Sequence, residues 1–191
     1  MIKVVLLVLT EQWADWEAAY AVAGINEEPG FTVKTISTDL LPKISIGGLR
    51  TEIDYSIEDF YDFSNVALII LPGGYTWAER QYSEIAGFVR EASAQGIPIA
   101  AICGATIFLG KHGLLDNIRH TGDELECFEI ENGYNGRNNY VAAQVAVDKG
   151  FITANETAAV DFAYAIFGLL KIDTDEEIEL WYNKFKNGIA H

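Results

Sequence analysis

Short, nearly continuous apolar runs recur along the chain at Ile2–Leu9, Val66–Leu71 (VALIIL) and Ile97–Ile102 (IPIAAI). Runs of this kind predict strands buried on both faces, which belong to a parallel sheet covered by helices. Phe31–Ile36 alternates more regularly and predicts a strand nearer the sheet edge. Between the runs the apolar spacing becomes helical. Trp16, Ala19, Tyr20 and Ala23 fall at i, i+3, i+4 and i+7, as do Ile85, Phe88, Val89 and Ala92, and again Ile178, Trp181, Tyr182 and Phe185.

The punctuation agrees with this alternation. Thr174 and Glu177 form the ends of a capping box, with Asp175 and Glu176 complementing the positive end of that helix. Lys184 and Lys186 fall in its last turn, before Asn187-Gly188. Gly96 closes the middle helix just ahead of the strand that contains Pro98, and Ala158–Leu170 is so apolar that it should be the most buried helix. Two segments break the pattern. Lys43–Tyr55, with Gly47-Gly48 between β-type runs, predicts a hairpin appended to the sheet, and Tyr140–Ala154, with Asp148-Lys149-Gly150 at its centre, predicts a second. Asp123–Asn139, rich in Glu, Asn and Gly, has no periodicity and reads as a long loop or small insertion, a kind of segment that often carries function. With no internal repeat and no low-complexity linker, residues 1–191 read as a single doubly wound α/β domain.

Charge narrows the partners. The 191 residues include 13 Lys and Arg against 28 Asp and Glu, a net charge of -15 that repels nucleic-acid phosphates and anionic lipid. No run reaches the roughly 18 apolar residues that a membrane span needs. The first apolar run passes directly into acidic and Trp residues without a small-residue cleavage site, so it reads as a strand and not a signal peptide. Two Cys cannot build a disulfide framework, and a cytoplasmic location follows as the expectation. Three scattered His and two Cys offer no metal-ligand spacing, and neither GxGxxG nor GxxxxGK occurs. Neither a metal nor a nucleotide cofactor is implied, and the expected partner is a small-molecule substrate.

The sharpest chemical signal is Ile97–Leu109, IPIAAICGATIFL. A buried strand runs into Cys103 and continues at once, through Gly104-Ala105, into helical sequence. This is the arrangement of a nucleophile elbow with Cys in place of Ser, and its tight turn requires small neighbours: Ala101, Gly104 and Ala105. A helix N-terminus aimed at the sulfur would favour thiolate. The alternative is a buried, inert Cys at a strand end. Leu71-Pro72-Gly73-Gly74 follows another buried strand. Its paired glycines let the backbone approach a ligand, and the Gly74 and Gly104 N–H groups suit an oxyanion hole; a plain turn is the alternative.

The ordered set of an N-terminal strand, an acidic first helix, LPGG and AICGA leading into a helix resembles the ThiJ/PfpI family of the class I glutamine amidotransferase-like superfamily, from Ile2 to about Leu170. The tail Asp173–Gly188 resembles the terminal helix of a bacterial branch. The resemblance implies a flavodoxin-like, mostly parallel sheet sandwiched by helices, a Cys on the elbow and a homodimer. It also implies that Glu17, in WADWEAAY, hydrogen-bonds the sulfur. Glu17 lies off the Trp16/Ala19/Tyr20/Ala23 stripe, and beside a thiolate its pKa should rise through burial and like charge. His120, 17 residues beyond Cys103, matches the position where many members carry a His, and is expected to be the general acid or base. His112 reads instead as a helix cap, and His191, the last residue, carries no signal.

Two departures bear on activity. The peptidase-like branch places His directly after the nucleophile, where this chain has Gly104, and amidotransferases place a His late in the chain, where Thr121–Ala190 has none. Proteolysis or glutamine hydrolysis by those triads is therefore not expected. The leading expectation is a cofactor-free enzyme whose Cys103 attacks a small carbonyl or amide, in glyoxalase- or deglycase-like chemistry or small-amide hydrolysis. The alternatives are a redox-sensing or stress-response protein in which Cys103 is oxidised, or an intracellular peptidase-like or amidotransferase-like protein acting on another substrate. Cys127 reads as a plain thiol, and Trp13, Trp16, Tyr75 and Trp77 either wall the pocket or pack ordinarily.

Overall fold

A computed structural model describes residues 2–189; His191 lies outside them. The apolar runs form the parallel heart of a seven-stranded sheet: β1 (Lys3–Val8), β2 (Phe31–Ser37), β6 (Val66–Leu71), β7 (Ile99–Ile102) and β9 (Phe151–Ala154). Two short antiparallel strands, β3 (Lys43–Ile44) and β4 (Arg50–Thr51), pair only with each other, while β5 (Tyr55–Ser56) and β8 (Val145–Asp148) close the two edges of the main sheet. The order is β5-β2-β1-β6-β7-β9-β8, parallel throughout except for β8, which pairs antiparallel with β9. The first predicted hairpin is therefore a separate ribbon rather than an extension of the sheet, and the second is the β8–β9 edge.

Helices cover both faces. α1 (Asp15–Glu27), α6 (Ala159–Leu170) and α7 (Asp175–Asn187) pack on one face, over Val5, Leu7, Leu68, Ile70 and Ala100. α2 (Thr76–Glu79), α3 (Ser83–Ala94), α4 (Gly104–Lys111) and α5 (Leu125–Glu129) pack on the other, over Leu6, Val8, Ile69, Leu71 and Ala101. Alternate residues of each strand thus feed two cores, as the continuous apolar runs require. Among the described residues no helix is long and apolar enough to cross a membrane.

Three details differ from the sequence pattern. The α1 stripe of Trp16, Ala19, Tyr20 and Ala23 is exposed, and the buried face is Glu17, Ala18, Ala21 and Ile25. Small side chains let α1 approach α6 closely: a Cβ at Gly24 would fall 2.4 Å from the Phe167 ring. The larger aromatics are left outside, where Tyr20 meets Trp181 and Phe185 of α7 edge-on. Second, the most buried helix is α4, which has no exposed residue, because it sits centrally behind Cys103; α6 leaves Gly168 exposed and much of its length half-buried. Third, 123–139 contains a short helix, α5, whose Phe128 is fully buried against α4, and a 3₁₀ turn at Arg137–Asn139. The α7 cap forms in one direction only: Thr174 Oγ1 accepts from the Glu177 N–H, while the Thr174 N–H donates to Asp173.

Candidate active site

β1, β6, β7 and β9 are consecutive, parallel neighbours, so the loops leaving their carboxyl ends converge on one edge of the sheet. In an open α/β sheet that edge is where ligands bind. It carries Glu17 from the first turn of α1, Gly73-Gly74 after β6, Cys103 after β7 and Glu156 after β9.

Cys103 joins β7 to α4 with φ 56° and ψ -134°. A non-glycine residue in that region costs about 1–3 kcal/mol and persists only where its surroundings over-determine it. Here they do. The Cys103 N–H donates to the Ala154 carbonyl at 2.9 Å, and the Cys103 carbonyl accepts from the Thr106 N–H at 2.8 Å and the Thr106 hydroxyl at 2.7 Å. The sulfur is fixed and half-buried at the start of α4, as the strand-turn-helix sequence predicts.

Glu17 is 1% exposed. Its Oε2 accepts from the Gly73 N–H at 2.6 Å, while Oε1 is buried without a hydrogen-bond partner. Carboxyl and sulfur flank Gly73 closely: a Cβ there would lie 2.5 Å from Glu17 Oε2, 2.7 Å from Cys103 Cβ and 3.0 Å from Cys103 Sγ, so only glycine fits. Burial pushes the Glu17 pKa up to about 7, against the hydrogen bonds from Gly73 and Cys103 that favour the carboxylate. Burial also pushes the Cys103 thiol up, reinforced by the Glu17 and Asp123 carboxylates and only partly opposed by the Gly104 N–H. The helix N-terminus does not by itself make a thiolate here, contrary to the expectation from the elbow alone. A carboxylate and a thiolate side by side in a buried place repel each other, so the thiol keeps its proton while Glu17 is charged.

The predicted glycines divide. Gly73 spends its N–H on Glu17, so of the paired glycines only Gly74 keeps an N–H for a ligand. Gly104 turns its N–H to the sulfur. Gly74 has φ +152° and lies across from Gly104, where a Cβ would come within 3.3 Å of the Gly74 carbonyl oxygen.

His120 is not free to act as a base. Its ring is fully buried among Phe128, Tyr134 and Tyr140. Nδ1–H donates to the Ile118 carbonyl at 2.6 Å, which leaves Nε2 to accept from the Tyr134 hydroxyl at 2.8 Å. Burial lowers its pKa, holding it neutral with both nitrogens committed. The position matches the family pattern, but the aromatic box around it gives it a structural task. His120→Gln is expected to cost about 1–2 kcal/mol of stability yet leave the rate of Cys103 alkylation unchanged; a thermal melt and a labelling time course check both. His112 caps α4, but it is held by the Gln81 carbonyl at 2.8 Å, and burial lowers its pKa, so it brings no dipole-complementing charge.

The structure adds two residues that sequence spacing missed. The Cys103 sulfur, an Asp123 oxygen and a Glu156 oxygen lie within 4.8 Å of one another, and Asp123 Oδ1 accepts from the Glu156 N–H at 2.8 Å. These are the donors that a cation at the site would meet. Of the aromatics, Trp77 is buried against Phe108 with its indole N–H on the Pro72 carbonyl at 2.9 Å, and Trp13 is buried. Tyr75 and Trp16 are exposed, and Cys127 is a half-buried thiol on α5.

The sequence model of the DJ-1/PfpI family matches residues 3–168. A Bacillus subtilis protein named "Uncharacterized protease YdeA" is 35% identical over 189 residues, covering 99% of this chain and 94% of its own. A crystal structure of a thiJ/pfpI family protein from Bacillus anthracis is 30% identical with a TM-score of 0.90, over 99% of this chain and 92% of that one. A DJ-1 superfamily protein from Agrobacterium tumefaciens, 28% identical, has a TM-score of 0.88 over 97% of this chain and 100% of its own.

Proposed function

Because the chain belongs to the DJ-1/PfpI family, we propose that it is a cofactor-free enzyme whose Cys103 attacks a small carbonyl or amide substrate. The observation that carries this reading is the strained Cys103 elbow, held at the carboxyl end of β7 with its sulfur against the Glu17 carboxyl. Backbone strain at such a position, stabilised by three hydrogen bonds, is spent on presenting the sulfur.

The chemistry follows from the groups in place. With His120 committed elsewhere, Glu17 takes the proton. A carboxyl whose pKa lies near 7 is matched to that work at neutral pH. As the sulfur bonds to the carbonyl carbon, the thiol proton passes to Glu17 and the carbonyl π pair moves onto oxygen. That oxyanion accepts from the Gly74 N–H, and from the Gly104 N–H as the sulfur, now bonded to carbon, gives up its hold on it. With an aldehyde or dicarbonyl, Glu17 returns the proton to the oxygen and a hemithioacetal results. With an amide, the proton goes to the leaving amine as the carbon–nitrogen bond breaks, and water then cleaves the thioester. The site has no His after the nucleophile, so the protease name of a relative is not carried over to a His-assisted triad here.

The redox alternative is disfavoured by the same geometry. A sulfinate is an anion, and the carboxylates of Asp123 and Glu156 beside the sulfur oppose it, as Glu17 and Asp123 oppose the thiolate. Steady-state assays of purified protein against small dicarbonyls, amino aldehydes and amides, with products followed by NMR, test the proposal. Turnover that disappears in Cys103→Ser supports it. Stoichiometric oxidation of Cys103 without turnover of any carbonyl or amide would replace it with the sensor reading.

A further inference from the structure

The charged groups that bear on Cys103 and Glu17 are all carboxylates: Glu17 itself, Asp123 and Glu156. Among the described residues, none of the three takes part in an ion pair. The Glu156 N–H holds the Asp123 carboxylate in place, so Asp123 cannot swing away without breaking that bond. The open groove that adjoins Asp123, about 390 Å³ and lined also by Tyr140, Gln144 and Asn155, contains no Lys, Arg or His. Independently, the Glu17 carboxyl, which flanks Gly73 together with the Cys103 sulfur, keeps its Oε1 buried without a hydrogen-bond partner. A nucleophile is thus set among carboxylates that oppose its reactive form, and among the described residues no Lys, Arg or His bears on the sulfur to offset them.

We propose that the neutralising charge comes with the substrate: the molecule that Cys103 attacks carries an ammonium or guanidinium group beside its carbonyl, and Asp123 and Glu156 bind that group. This rests on the reading of Cys103 as nucleophile and names its substrate class. A cation seated on the two carboxylates beside the sulfur offsets the part of the local field that they supply, leaving burial and Glu17 as the remaining causes that keep the thiol protonated. Binding therefore raises the thiolate fraction just when an electrophile is present. In the free protein the thiol stays protonated and poorly reactive toward stray oxidants and electrophiles. Anionic 2-oxo acids are excluded by the same carboxylates. The tail of a longer amino-carbonyl compound has the polar groove beside Asp123 to occupy.

Thiosulfonate reagents of matched length and different charge test this without knowledge of the substrate. Each transfers its RS group to a thiolate, forming a disulfide and releasing methanesulfinate, so atoms and electrons balance. In a Cys127→Ser background, labelling of Cys103 by the 2-(trimethylammonium)ethyl, 2-sulfonatoethyl and neutral methyl reagents is timed by intact-mass spectrometry. The cationic reagent is expected to outpace the anionic one by about 100-fold at low ionic strength, less in high salt. Glu156→Gln and Asp123→Asn should each shrink that ratio several-fold, with the neutral reagent reacting as fast or faster. Glu156→Gln is the decisive variant, because the backbone bond to Asp123 survives it and a disordered loop cannot explain the change. A ratio unaltered in both variants would overturn the inference, since the overall charge of -15 would then account for it. Failure of all three reagents to label Cys103 would instead remove the nucleophile on which the inference rests.

Discussion

Cys103→Ser is expected to lower turnover of any substrate found by about a thousand-fold or more, the range typical of losing a catalytic nucleophile, while leaving the fold intact. The side chain is nearly isosteric, and the elbow's anchors are main-chain groups and Thr106, so the N–H to Ala154 and the carbonyl to Thr106 remain. What changes is the proton. In the same buried place a serine hydroxyl is a weaker acid still than the thiol, and a poorer nucleophile, so Glu17 serves it far less well. Turnover measured beside a thermal melt separates chemistry from folding. A variant that keeps its melting temperature but loses turnover fits the mechanism, whereas one that keeps turnover removes Cys103 from it.

Glu17→Gln is expected to stabilise the protein above pH 7 by about 3 kcal/mol, from 1.36 kcal/mol per unit of pKa displacement. The native state holds the Glu17 proton up to about pH 7, whereas the unfolded chain releases it near the ordinary value of 4.5. Native protein therefore binds more protons between those values. The stability that Glu17 contributes is complete below pH 4.5, declines as pH rises through the window and is lost above about 7. Glutamine keeps an oxygen for the Gly73 N–H but has no charge to bury, so the variant escapes that decline. Urea unfolding of both proteins from pH 4.5 to 8 gives curves that diverge with rising pH, if Glu17 is buried as described. Parallel curves would mean that its carboxyl is ionised in the native state at no cost.

The strands were legible because a doubly covered parallel sheet demands apolar residues on both faces of VALIIL and IPIAAI, and no other element asks for that pattern in so short a run. The elbow was legible for a similar reason: Cys103 between a buried strand and small residues leaves the chain few conformations. The face of α1 was not, since large aromatics outweigh alanines in any hydrophobic pattern. Tight packing of α1 on α6 admits only the small residues, and that carries Glu17 inward with Ala18 and Ala21. Its partnership with Cys103 came from family resemblance and its burial from the structure. His120 sits at the family position, but Tyr134, which claims it, lies in a segment without periodicity. Asp123 and Glu156 are 33 residues apart: β9 beside β7 carries Glu156 to the elbow, and the Thr121 N–H, donating to Thr153 of β9, brings Asp123 up to it. The usable signal was Glu156, two residues past the carboxyl end of a strand beside the elbow strand.

The central claim is that Cys103 is a presented nucleophile whose proton is governed by the Glu17 carboxyl. The pH dependence of iodoacetamide alkylation, mapped to Cys103 by mass spectrometry in wild type and Glu17→Gln, tests it most directly. The structure predicts labelling at Cys103 whose rate rises through a pKa above the free-thiol value of about 8.5, and a shift of that pKa downward by about one unit or more in Glu17→Gln, where the like charge is gone. A Cys103 that resists alkylation at every pH, or one whose titration is the same in both proteins, would contradict the account.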